Sequence, residues 1–170
     1  MTTRVFDNDL PIAKNVISLA SFCISGNRLL SVKVPRYWDK LYHVINFSSI
    51  FQNCINLTSA TGFTTKLFSS NGIVYGCGSM FCQCDSLKTC DVVLPPLSRT
   101  NSLSNMFKGC HSLTATVKSI IPETGFLGRY YDVRAMFDAC FNMSGPVPAD
   151  LLWNDTTKSS WKTTAKVEDN

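Results

Sequence analysis

The sequence predicts an α/β solenoid of about five irregular coils, each a short helix followed by a short strand. Three observations carry that expectation. Four ungapped segments share one pattern, the residues after each segment turn β-branched and stop at proline, and polar turn residues recur where a coil has to reverse. The segments are Phe47 to Leu57, Cys77 to Leu87, Leu103 to Leu113 and Val133 to Met143, and each reads apolar-x-x-(Ile/Met)-Phe-x-x-Cys-x-x-(Leu/Met). A degenerate fifth copy fits the same frame at Ala20, Cys23, Ile24, Asn27 and Leu30, with Asn27 at the cysteine position. The closing residues Leu30, Leu57, Leu87, Leu113 and Met143 are separated by 27, 30, 26 and 30 residues. Periods of this length belong to repeat proteins whose units contact mainly their neighbours.

Within each copy the apolar offsets 0, 3, 4 and 7 lie on one face of a helix, so the front of each unit is expected to be a brief amphipathic helix. Asn53 and Gly109 inside two copies, both poor helix formers, keep it short. The following stretches, Leu30 to Pro35, Leu87 to Pro95 and Leu113 to Pro122, alternate and are rich in Val, Ile and Thr. They predict one short strand per unit, ended by a proline that has no N–H for a continuing ladder. A second apolar anchor and a turn complete the unit. Leu67-Phe68 precedes Asn71-Gly72, Leu97 precedes Thr100-Asn101, and Phe126-Leu127 precedes Gly128-Arg129. The whole chain, 1–170, is expected to be one repeat domain, with a cap over 1–19, repeats over 20–153 and a cap or tail over 154–170.

Composition limits the alternatives. A chain of 170 residues, 45% hydrophobic, buries a core without needing disulfides or metal and is not a disordered polymer. The net charge of +4, from 16 Lys+Arg against 12 Asp+Glu, is too mild to predict a nucleic-acid partner. No apolar run approaches the ~20 residues of a membrane span, so no membrane insertion is expected. The first ten residues, with one Arg and two Asp, lack the apolar region of a secretory signal. Synthesis in the cytoplasm and reduced thiols follow as expectations.

The phrase Met-Phe-x-x-Cys-x-x-Leu followed by a proline-ended strand resembles the BspA-like leucine-rich repeats of Bacteroidales surface proteins and of phages infecting those bacteria. The segment Asn142 to Trp153 resembles the longer repeat variants of the same group. The resemblance covers roughly residues 20–153 and implies a leucine-rich-repeat-like architecture. It also implies a non-enzymatic structural or protein-interaction role, in a phage virion used for particle assembly or host attachment. The alternative is a bacterial cell-surface adhesion module. The implied partners are other protein subunits of a virion or surface assembly, and a host surface protein or glycan. The implied location is the virion, after synthesis in the host cytoplasm, with the bacterial cell surface as the alternative.

The residues suggest little catalysis. Cys77, Cys82, Cys84 and Cys90 lie within fourteen residues, a density from which a tetrahedral zinc site and a third reading, a zinc-stabilised regulatory protein, arise. Against zinc, Cys77 and Cys84 occupy apolar repeat positions filled by Phe47, Leu103 and Val133, or by other cysteines, in the sister copies. That is where a free cysteine serves as a small hydrophobe. The histidines are His43 and His111; the latter is adjacent to Cys110, and adjacent side chains diverge on a helix. With no paired acids, phosphate loop or serine elbow, the sequence predicts no enzyme and no cofactor. Binding is instead expected at Arg36, Tyr37, Trp38 and Tyr42, an aromatic and charged insertion, and at Tyr130, Tyr131 and Trp153 near turns. Arg and amphipathic aromatics are enriched at interface anchors.

Overall fold

A computed structural model describes residues 4–6, 18, 20–21, 25, 28–33, 46–63, 76–94, 102–120 and 134–144. Four short strands, β1 (Arg4–Phe6), β2 (Leu29–Lys33), β3 (Ser59–Thr61) and β4 (Thr89–Cys90), form one parallel sheet in chain order. Ser31, Ser59 and Thr89 share one register line, and Val32, Ala60 and Cys90 the next. A single turn of helix, α1 (Val117–Ile120), follows the third motif copy and buries Val117 and Ile120.

This architecture corrects the expected α/β solenoid of five helix-plus-strand coils. Among the described residues the only helix is α1, and it lies outside every motif copy. The copies themselves are tandem tight turns. Backbone φ is positive at Ser49 and Asn53 in the first full copy, at Ser79 and Gln83 in the second, at Asn105 and Gly109 in the third, and at Ala135 and Ala139 in the fourth. These are offsets 2 and 6 of the motif each time. A left-handed residue at every fourth position is incompatible with an α-helix, because L-residues there break the right-handed path. Hydrogen bonds such as Ile50 N–H to Phe47 O at 3.4 Å and Cys54 N–H to Phe51 O at 3.1 Å close turns of the i to i+3 kind. Their third residues, Ser49 and Asn53, have the positive φ that type II turns require.

The remaining amides point along the stack. Ser49, Phe51 and Asn53 donate to the carbonyls of Gly78, Met80 and Cys82; Ser79, Phe81 and Gln83 to Ser104, Met106 and Lys108; Asn105, Phe107 and Gly109 to Arg134, Met136 and Asp138. All nine bonds measure 2.7–3.0 Å. Alternate amides thus serve the turn and the neighbouring copy, which satisfies the backbone of a buried segment that is neither helix nor sheet. The two conformations bury the same offsets, which is why the apolar pattern suggests a helix. Phe47, Ile50, Phe51, Cys54 and Leu57 are all inside, as are their counterparts in the next two copies.

The degenerate first copy sits one residue earlier than the sequence frame. Ser21 and Ser25 have positive φ and donate to Ser48 and Gln52, and Ser18 pairs with Asn46, so the closing position is Leu29. Leu29 is buried whereas Leu30 is 40% exposed. The proposed cysteine equivalent, Asn27, lies outside the described residues.

A column of phenylalanines runs through the core. Phe51, Phe81, Phe107 and Phe137 stack at 5.5, 5.5 and 5.6 Å between ring centroids, with interplanar angles of 17°, 12° and 9°. Phe63 meets Phe51 and Phe81 edge-on at 5.9 and 5.4 Å. Offset-stacked and edge-on contacts each add about 0.5–1.5 kcal/mol beyond burial. Polar residues one position before three of the copies, Ser18, Asn46 and Ser102, hold the entry. Asn46 Oδ1 accepts from Ser48 N–H at 2.9 Å, and Ser18 Oγ accepts from Ala20 N–H at 3.2 Å. At Gly76, the equivalent place, a Cβ would sit 2.5 Å from Ser48 Oγ. Beyond β3, Asp91 accepts from the amides of Gly62 at 2.7 Å and Phe63 at 3.1 Å, which ties one copy's exit to the next.

Candidate interaction surface

The seventh and eighth offsets of the motif are neighbours in sequence and opposites in environment. Offset 7 carries Cys54, Cys84, Cys110 and Cys140, all fully buried. Cys84 Sγ donates to Phe51 O at 3.1 Å, Cys110 Sγ to Phe81 O at 3.1 Å and Cys140 Sγ to Phe107 O at 3.0 Å. Each acceptor is a carbonyl of the preceding copy that already receives a turn amide, so the thiol occupies its second lone pair. A small apolar side chain with one weak donor suits that place, which accounts for cysteine recurring there.

Burial pushes three of these thiols up. Desolvation takes Cys140 to about 12 and holds Cys84 and Cys110 well above the usual thiol value, with neighbouring thiols adding to the rise in those two. The same desolvation lifts Cys77 and Cys90 to about 12. Desolvation also raises Cys82, opposed by Lys108, which favours its charged form. The described cysteines are all thiols rather than disulfides. Of the proposed zinc set, Cys77 and Cys84 belong to the core cluster, Cys82 is buried, and Cys90 is half-buried against the core. Among the described residues no three Cys, His, Asp or Glu side chains converge as a metal-holding group, so the structure does not bring this set together.

Offset 8 turns outward at the corner closed by bonds such as Leu57 N–H to Cys54 O. Its four occupants are Ile55, Asp85, His111 and Phe141, and they form one column along the stack. Phe141 is 50% and Ile55 43% exposed, and with Leu30 they are the exposed large hydrophobics among the described residues. His111 stacks on Phe141 at 5.2 Å with an interplanar angle of 14°. Asp85 Oδ1 lies 3.5 Å from His111 Nδ1. That separation is too long for a hydrogen bond, and this shielded oxygen has no hydrogen-bond partner among the described residues. Neighbouring corners are tied by the Ser86 N–H to Ile55 O bond at 3.3 Å and by the Asn142 side chain, whose Nδ2 donates to His111 O at 2.9 Å. Beside it, Lys108 pairs with Asp138 at 3.2 Å.

His111 therefore sits on a half-exposed turn and not on a helix, apart from the buried Cys110. The binding residues expected from the sequence, Arg36, Tyr37, Trp38, Tyr42, Tyr130, Tyr131 and Trp153, lie outside the described residues. The rim column is the surface that sequence reasoning missed. Its signal was available at offset 8, directly after the recurrent cysteine, where the repeat takes Ile, Asp, His and Phe. No described helix is long and apolar enough to cross a membrane. Comparison of the chain with protein-family models, with curated proteins and with solved structures finds no match.

Proposed function

We propose that this protein is a non-enzymatic structural and protein-interaction module, a stack of turn repeats whose constant frame presents variable side chains at its rim. The observation that carries this reading is the contrast between adjacent offsets. The thiols of Cys84, Cys110 and Cys140 donate to core carbonyls, while the rim changes from Ile55 to Asp85 to His111 to Phe141 on a repeated backbone. A frame of that kind serves recognition, since contact chemistry varies without altering the scaffold.

The resemblance of the Met-Phe-x-x-Cys-x-x-Leu copies to BspA-like repeats supplies the setting: a component of a phage particle, used in assembly or host attachment. The test is fractionation of native material by sedimentation, with the chain followed by mass spectrometry. Pelleting with large particles in constant ratio to their coat proteins is the expected result. Recovery with cell envelopes would replace the virion setting by surface adhesion, and recovery only as free protein would remove both.

A further inference from the structure

We infer that the rim column Ile55–Asp85–His111–Phe141 is a self-complementary face through which two copies of this chain associate around a two-fold axis. The inference rests on the proposed interaction role and names the partner. Along the stack the column reads apolar, acidic, basic-capable, apolar. A two-fold axis between Asp85 and His111 inverts that order in a second copy. Ile55 then faces the second copy's Phe141, and Asp85 faces the second copy's His111, with both contacts made twice. Isologous interfaces have this reciprocity, in which one residue meets another and is met by it in return.

The alternative register, with the two columns running in the same direction, sets Asp85 against Asp85 and His111 against His111. Like groups opposed at an interface are disfavoured. Geometry supports the antiparallel arrangement. The first two corners and the last two are each hydrogen-bonded to one another, and the column's two ends carry the largest exposed apolar side chains of the stacked copies, Ile55 at 43% and Phe141 at 50%. His111 is braced flat on Phe141 and beside Asp85, so little side-chain freedom is lost on association. Four side chains per copy form a small patch against the ~800 Å² per partner of a standard interface, so the dimer is a weak one, on the order of micromolar or weaker.

Analytical ultracentrifugation of the full chain, from low micromolar to near-millimolar concentration, tests this. The wild-type chain should show a monomer–dimer equilibrium. Asp85→Lys, at a half-exposed corner, should leave the circular dichroism spectrum unchanged and weaken dimerisation by roughly tenfold or more. The exchange Asp85→His with His111→Asp keeps the inverted order and should restore it. A wild-type chain that stays monomeric throughout, or dimerises undiminished with Asp85→Lys, overturns the inference. So does an exchange variant that fails to recover. A monomer that still pellets with particles would sink the dimer while leaving the interaction module standing.

Discussion

Two columns one residue apart obey different physics. At offset 7, Cys54, Cys84, Cys110 and Cys140 are sealed in the core, and at offset 8, Ile55, Asp85, His111 and Phe141 stand at the rim. The inner column is uniform because a single geometric demand, a donor small enough to reach the preceding copy's phenylalanine carbonyl, recurs at every step. The outer column meets no such demand and is chemically mixed. Repetition in a sequence therefore marks where the backbone sets the requirement, and loss of repetition next to it marks where the surroundings do.

The largest effect should come from breaking the inner side. Phe107 is fully buried and stacked between Phe81 and Phe137 at 5.5 and 5.6 Å. Phe107→Ala should cost about 3–5 kcal/mol of stability, the usual range for a buried phenylalanine. Urea denaturation measures it, and a loss under about 1 kcal/mol would remove the stacked core from the account.

The thiols provide a second way to separate the columns. A thiol whose folded pKa is raised keeps its proton in the native state where the unfolded chain has lost it. The unfolded chain then binds fewer protons, and stability falls as the pH rises. For Cys140 that window opens near 9.0 and closes near 12. Cys140→Ala should therefore reduce the alkaline loss by about 1.4 kcal/mol per pH unit between those limits. Denaturation curves at neutral pH and at two alkaline values check this. Equal alkaline slopes in both proteins would mean that the thiol is not sealed in the fold.

The core was legible and its conformation was not. Offsets 0, 3, 4, 7 and 10 follow from the sequence because burial leaves an apolar signature whatever backbone produces it. The helix assigned to those offsets fails because two consecutive tight turns bring the same positions inward. The discriminating evidence, positive φ at Ser49, Gln83 or Ala139, leaves little trace in residue type, since Ser, Asn, Gln, Ala and Gly all fill these places. The one-residue slip at Leu29 has a related cause: Leu29 and Leu30 are both leucine, and only register within the sheet separates them. The entry residues Asn46 and Ser102, which hold the turn through Ser48 and Ser104, escaped notice because they precede the repeated pattern.

Ala139 tests that correction directly. Its φ is 60°, where an alanine costs roughly 1–2 kcal/mol relative to the right-handed region. Glycine removes the strain and returns about 0.5–1 kcal/mol of it through a more flexible unfolded chain. Ala139→Gly should therefore stabilise the protein by about 0.5–1 kcal/mol. In a helix interior the same change destabilises by about 1 kcal/mol. The sign of the shift in the urea midpoint decides between turn ladder and helix.

The smallest effect belongs to the rim. Ile55 is 43% exposed and its backbone carbonyl, not its side chain, carries the bond from Ser86. Ile55→Ser should change stability by less than about 0.5 kcal/mol, as surface substitutions usually do. It should also weaken self-association in the same ultracentrifugation series, because the apolar end facing Phe141 of the second copy is lost. The pair of readouts sets the two columns against each other within one variant. A stability loss comparable to that of Phe107→Ala would assign Ile55 to the core. Unchanged stability with unchanged association would reduce the rim column to an ordinary solvated edge.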